Sequence, residues 1–388
     1  MKQYLFAIIL TGAMSLMLSW GVWQLSMRFK LYPGIRERDV HTTPTPRLGG
    51  IAIFLAIALM VLISRANPYF APFWADPAPI ISVLIASALI VGVGAADDIW
   101  DLDWMIKLGA QFIAAGIITI GGGLQIIALP IGGIMVGSSW ISIVATMIVI
   151  VVVMNAVNFI DGLDGLLTGT VLIAAGVLFA YSYMLVRDTG GDNNFNLATF
   201  LAAVIVGACA GFLPLNWRPA KLFMGDSGAL LLGLLLGTCT IAILSRITPE
   251  MLDPDTFGQS MLLGAFIPIL LLPIIIVIFP LTDFVLAVLR RMGAGKSPFA
   301  PDRKHLHHRM LDLGHSDRDS TLIFYAWTAV LSLSVLLMYV AVRERWPGGY
   351  WLGIAFAAVG LAACAVVTFI PPETARRTRR RALQEASK

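Results

Sequence analysis

The chain has 388 residues, of which 58% are hydrophobic and only 13% charged, about half the charged fraction of an average soluble protein. A chain of this length folded in water would form two or three domains and would need charged surface to cover them. That surface is missing, so composition excludes an ordinary soluble enzyme, a disordered chain and a nucleic-acid binder, and leaves a multi-span membrane protein. The net charge is +4, and the tail from Pro371 to Lys388 accounts for it alone, with six cations against Glu373 and Glu385. A basic tail after a span marks the cytoplasmic side and lies against anionic lipid.

Apolar runs long enough to cross a bilayer predict eleven spans, at residues 3–27, 48–65, 79–96, 108–126, 139–158, 166–186, 197–215, 228–245, 261–289, 321–342 and 349–370. The first is too long for a signal peptide and its positive cluster follows it, so it reads as a retained span. The ninth carries Pro268, Pro273 and Pro280 and is expected to be kinked, tilted or broken. With the N-terminus outside, 21 of the 27 Lys and Arg residues fall in cytoplasmic segments and five in the opposite loops, which sets N-out and C-in. The expected fold is therefore an all-α integral membrane protein of about eleven transmembrane helices. A polytopic domain covers residues 1–370, and a basic cytoplasmic tail covers 371–388. Cys209, Cys239 and Cys364 lie inside apolar runs without a CxxC pair and read as small buried residues.

On this map four polar constellations fall on one face. Asp97 and Asp98 follow span three, with Lys107 just beyond. Asn155, Asn158, Asp161, Gly162, Asp164 and Gly165 close span five. Asp226 follows span seven, and Arg303, Lys304, His305, His307, His308 and Arg309 follow span nine. Four loops presenting carboxylates, amides, imidazoles and cations to one side argue for one site.

Adjacent carboxylates repel, so the Asp97–Asp98 pair needs a cation or a raised pKa. Carboxylate and amide oxygens are hard ligands that suit Mg²⁺, which binds one or two carboxylates plus substrate phosphates. Asn155, Asn158 and Asp161 are spaced by three and would share one face of a helix end. The imidazoles lack the spacing and the Cys partner of a zinc site. Among Arg303, Lys304 and Arg309 they suit an anion clamp. Acidic ligands with a basic clamp describe phosphoryl transfer, and the membrane setting suggests a lipid phosphate as one substrate. Each motif also has a plainer reading. Asp97–Asp98 could be a solvated loop, the Asn155–Asp164 run a cap and turn, Asp226 an N-cap, and the His cluster a solvated basic segment. All four would have to hold at once.

These motifs, together with Pro44-Thr45-Pro46-Arg47-Leu48-Gly49-Gly50, Phe223-Met224-Gly225-Asp226-Ser227-Gly228 and His305-Leu306-His307-His308-Arg309, resemble the polyprenyl-phosphate N-acetylhexosamine-1-phosphate transferases over roughly residues 1–342. The Pro-Thr-Pro-Arg-Leu-Gly-Gly and His-Leu-His-His-Arg signatures are similar to the branch that uses UDP-GlcNAc. The phospho-N-acetylmuramoyl-pentapeptide branch of peptidoglycan synthesis stands as the alternative. The resemblance implies that a polyprenyl phosphate, undecaprenyl or decaprenyl, attacks the β-phosphorus of UDP-GlcNAc and releases UMP. This would be the first membrane step of a cell-envelope glycopolymer such as teichoic acid, lipopolysaccharide or arabinogalactan, at a bacterial plasma membrane. It implies Mg²⁺, with Mn²⁺ as a substitute, and leaves a homodimer open.

By the same resemblance Asp97 meets the lipid phosphate and Asp98 lies near metal and nucleotide. Asp226 and Asn158 are the metal ligands. Asp161 and Asp164 form the polar shell around nucleotide and metal, Lys107 meets phosphate, and His305, His307 and His308 face the pyrophosphate or sugar; Asn155 and Arg303 are further substrate-binding candidates. Asp283, in span nine, is either functional or ion-paired. A transporter would place its ionisable groups near the midplane within inverted repeats, and no repeat is visible. A scaffold would not need four polar clusters on one side.

Overall fold

The computed structural model describes residues 1–32, 45–126, 138–188, 193–245 and 313–370, with 128–129, 134–135, 292–293 and 310. Among the described residues the regular elements are helices, apart from a two-stranded antiparallel ribbon of two residues per strand, Ala128–Leu129 against Ile134–Met135. Apolar segments in lipid must satisfy every backbone group internally, and a helix does so. The helices are α1 Lys2–Arg28, α2 Gly49–Ser64, α3 Ala71–Ala75, α4 Ala78–Trp100, α5 Trp104–Gly116, α6 Ser139–Ile160, α7 Leu166–Asp188, α8 Asn193–Asn216, α9 Gly225–Leu244, α10 Asp317–Arg343 and α11 Gly349–Phe369. Among the described residues nine helical segments are long and apolar enough to cross a membrane, or ten if the bent pair beginning with α2 is one span. The chain is a multi-pass membrane protein. The predicted ninth span, residues 261–289 with Asp283, lies outside the described residues.

Span boundaries differ from expectation where caps act. The fourth span begins at Trp104 because the Asp103 carboxylate accepts from the Met105 N–H at 2.8 Å, an N-cap contact inside a segment too polar to register as apolar. It closes through a π turn, Ile117–Gly121. α10 begins at Asp317 because Ser316 and Asp319 form a reciprocal capping box. α2 is only 16 residues long and bends by 92° into the short helices at Pro68–Ala75. Asn67 accepts from the Tyr69 N–H at 3.0 Å to start that turn. The rings of Tyr69 and Phe70 then pack on Tyr4 at 5.6 and 5.8 Å.

α9 is the axis of the assembly. From Ser227 to Leu244 every residue is buried, as expected of a helix apolar on all sides. α2, α4, α6 and α8 surround it. Close approach at its first turn depends on small residues. A Cβ on Gly50 would lie 2.2 Å from the Gly228 nitrogen, and one on Gly94 would lie 2.4 Å from Ser227 Cα. The segment before α2 is zipped to the segment before α9. Phe223 N–H donates to Pro46 O (2.8 Å), Gly49 N–H to Phe223 O (3.0 Å), and Gly50 N–H to Met224 O (2.9 Å). Two sequence motifs 174–177 residues apart thus form one backbone unit. Cys209, Cys239 and Cys364 are buried and free, as their apolar settings predicted.

Candidate active site

The ends of α4, α5, α6 and α9 meet at one end of the bundle. Asp97 and Asp98 occupy the last turn of α4, and consecutive residues on a helix point about 100° apart. Asp97 therefore turns toward α5. Its Oδ1 accepts from the Leu102 N–H at 2.8 Å and its Oδ2 from Lys107 Nζ at 3.0 Å. Lys107 also reaches Asp226 Oδ2 at 3.2 Å, so one ammonium bridges two carboxylates. Asp226 Oδ1 accepts from Asn158 Nδ2 at 3.1 Å. Asp97, Lys107, Asn158 and Asp226, drawn from four helices, form one contiguous cluster.

Asp98 turns the other way, onto the start of α9. Its two oxygens accept from the backbone N–H groups of Asp226 (3.0 Å) and Ser227 (3.3 Å). These are orphan donors of a helix N-terminus, and a carboxylate from another helix caps them. Gly225 makes this possible. It adopts φ +71°, and a Cβ there would lie 2.4 Å from Asp98 Oδ2. The plainer reading of Asp226 as an N-cap does not hold. Asp226 lies within the first turn with its carboxylate turned to Lys107 and Asn158, and Asp98 does the capping.

Asn155 and Asn158 lie on the same side of α6 but serve different partners. Asn155 Nδ2 donates to Gln111 Oε1 at 2.5 Å and to Val151 O at 2.8 Å. Gln111 is one helical turn past Lys107, so the amide pair holds α5 against α6 while Lys107 reaches Asp226. The sequence reading had passed over Gln111. Its signal was an amide inside an apolar span, four residues from Lys107.

Past the end of α6 the chain turns through residues 161–165. Asp161 is exposed to solvent, and its carboxyl lies in the field of Asp226, Asp98 and Asp164 on one side and of Arg47 on the other. Asp164 is buried, and its Oδ2 accepts from the Ala220 N–H at 3.1 Å. Arg47 is a second residue the sequence reading did not place, although it stands in the Pro-Thr-Pro-Arg motif. Arg303, His305, His307 and His308 lie outside the described residues.

Of the four polar constellations, three are brought together. The assembly is strongly acidic, with Asp97, Asp98, Asp161 and Asp226 against Lys107 and Arg47. Among the described residues no three His, Cys, Asp or Glu side chains are grouped to hold a metal ion. What the cluster offers is the hard oxygens of Asp226 and Asp97 with the Asn158 amide, a set that leaves most coordination positions of a divalent ion to other ligands.

The described residues thus form a multi-pass helical membrane bundle with a carboxylate–ammonium–amide cluster at one end. Comparison with known proteins specifies it. Residues 80–244, which carry Asp97 through Asp226, match the family described as glycosyl transferase family 4. The chain is 40% identical to a decaprenyl-phosphate N-acetylglucosaminephosphotransferase of Mycobacterium tuberculosis, over 78% of this chain and 73% of the relative. It is 38% identical to the protein of that name from Mycolicibacterium smegmatis, over 79% and 75%. A probable undecaprenyl-phosphate N-acetylglucosaminyl 1-phosphate transferase of Bacillus subtilis is 29% identical over 78% and 75%. The chain belongs to glycosyl transferase family 4, as its motifs suggested.

Proposed function

We propose that the protein transfers N-acetylglucosamine 1-phosphate from UDP-GlcNAc to a membrane polyprenyl phosphate, giving polyprenyl-pyrophosphoryl-GlcNAc and UMP. The observation that carries this reading is the joining of Asp97, Lys107, Asn158 and Asp226 in one cluster, in a chain whose relatives are named for that transfer. Decaprenyl phosphate is the favoured acceptor, because the relatives at 38–40% identity are named for it and the one at 29% is named for undecaprenyl phosphate. The excess of Lys and Arg in alternate loops supports a cytoplasmic site with the N-terminus outside, in a bacterial plasma membrane.

In the reaction an oxygen of the lipid phosphate forms a bond to the β-phosphorus of UDP-GlcNAc. The bond from that phosphorus to the oxygen bridging to the α-phosphorus breaks, and the electron pair leaves with UMP. A phosphate monoester has its second pKa near 6 and is largely ionised at pH 7. Asp97 therefore need not act as a base; it holds Lys107, whose ammonium orients the acceptor phosphate. Lys107 carries positive charge to the phosphates, and Asp161 and Asp164 line the nucleotide side.

A pyrophosphate donor would be repelled by the carboxylates of this pocket unless a cation intervened. The residues fit Mg²⁺, or Mn²⁺ in its place. Asp226 with Asn158 would hold it, and two or fewer carboxylates is the number Mg²⁺ uses when phosphates complete its shell. When bound, the ion would neutralise charge on the pyrophosphate. Arg303, His305, His307 and His308 would add cationic contacts to the same groups.

The test is UMP release by purified protein with UDP-GlcNAc and decaprenyl phosphate. We expect release that EDTA abolishes and Mg²⁺ restores. Release from UDP-muramoyl-pentapeptide but not from UDP-GlcNAc would overturn the donor assignment.

A further inference from the structure

The turn at residues 161–165 is held from behind by α10, a helix that contributes nothing to the Asp97–Asp226 cluster. The Tyr325 hydroxyl donates to the Gly165 carbonyl at 2.5 Å. That oxygen also accepts the Gly169 N–H at 3.0 Å. The ring is seated in space left by a missing side chain, since a Cβ on Gly169 would lie 2.0 Å from Tyr325 Cζ. Trp217 packs on the same ring, with centroids 6.2 Å apart. The segment carrying Trp217 is tied to α10 by the Arg218–Asp317 ion pair and to the turn by the Ala220 N–H on Asp164 Oδ2 at 3.1 Å. One carbonyl and one carboxylate of the turn are therefore fixed by a frame built from α10 and residues 217–220.

We propose that Tyr325 is a positioning residue for the nucleotide half of the site, an inference that rests on the transferase reading. It touches no reacting atom. It fixes the Gly165 carbonyl and so sets where Asp161 and Asp164 stand. Removing the hydroxyl leaves that carbonyl bonded to Gly169 alone and frees the turn on its α10 side. A site that must hold a substrate in one geometry loses binding when its framework loosens.

The experiment compares wild type with Tyr325→Phe, which keeps the ring, and Gly169→Ala, which displaces it. A lost neutral hydrogen bond corresponds to a factor of about three to ten. We expect KM for UDP-GlcNAc to rise by that factor in Tyr325→Phe, with KM for decaprenyl phosphate and kcat within about twofold of wild type. Gly169→Ala should show the same selective rise or a larger one. Unchanged KM for UDP-GlcNAc, or a parallel loss of all three constants, would overturn the inference. Calorimetric binding of UDP provides a readout without turnover. If wild type binds UDP yet transfers nothing from UDP-GlcNAc, the transferase reading fails, and the inference survives only if Tyr325→Phe binds UDP more weakly. Equal affinity, or no binding by either protein, overturns it.

Discussion

Asp97 and Asp98 are neighbours in sequence and do different work. Asp97 meets a side-chain ammonium, and Asp98 caps the buried helix that carries Asp226. Their substitutions should therefore behave differently. Loss of an N-cap costs about 0.5–2 kcal/mol. Asp98→Ala should lower the melting temperature in detergent, whereas Asp98→Asn, which keeps one of the two acceptor oxygens, should lower it less. Equal destabilisation by both would contradict the capping role. Asp226→Asn should still insert and melt normally while UMP release falls by at least about 100-fold, the scale of losing one preorganised charge-stabilising group. Near-normal release from the purified variant would remove Asp226 from the site. Replacing His307 and His308 together should raise KM for UDP-GlcNAc without changing the melt, and unchanged kinetics would reject the anion clamp.

The helices show how the site depends on packing well away from its carboxylates. α9 presents Asp226 where it does because Gly50 of α2 and Gly94 of α4 let both helices close on its first turn. Overpacking such a contact costs about 1–3 kcal/mol. Gly94→Ala should thus lower the melting temperature and also reduce UMP release, because the displaced first turn carries Asp226. A variant with wild-type melt and turnover would show that the contact is looser than it looks. Most apolar runs predicted their helices to within a few residues, since a continuous apolar segment in lipid satisfies its own backbone groups only as a helix. The misses fell at α5, α10 and the bend after α2, where Asp103, Ser316 with Asp319, and Asn67 set boundaries by local hydrogen bonds. Such contacts leave little trace in hydropathy.

At the scale of the whole molecule, the Lys and Arg distribution predicts which loops share a side. Cysteines placed at Arg218 or Lys221 should react with an impermeant thiol reagent only from the cytoplasmic side, and those at Arg65 or Arg187 only from the outer side. The buried native cysteines give little background. The reverse pattern would invert the orientation. Deleting the basic tail from Arg376 onward should leave UMP release intact in protein that inserts normally. The sequence by itself determined the membrane class, the number and order of most spans, and the residues Asp97, Lys107, Asn158, Asp164 and Asp226 as candidates. These follow from composition, from the length of apolar runs and from polar groups that lipid would otherwise expel. Only the tertiary structure decided their division of labour: Asp98 on the α9 amides, Asn155 on Gln111, Lys107 between two carboxylates, and Tyr325 behind Gly165. Apart from the Lys107–Asp97 contact, 10 positions apart, those pairings join residues between 44 and 160 positions apart. Their directions depend on helix rotation and glycine-mediated approach, which no local pattern of residues encodes.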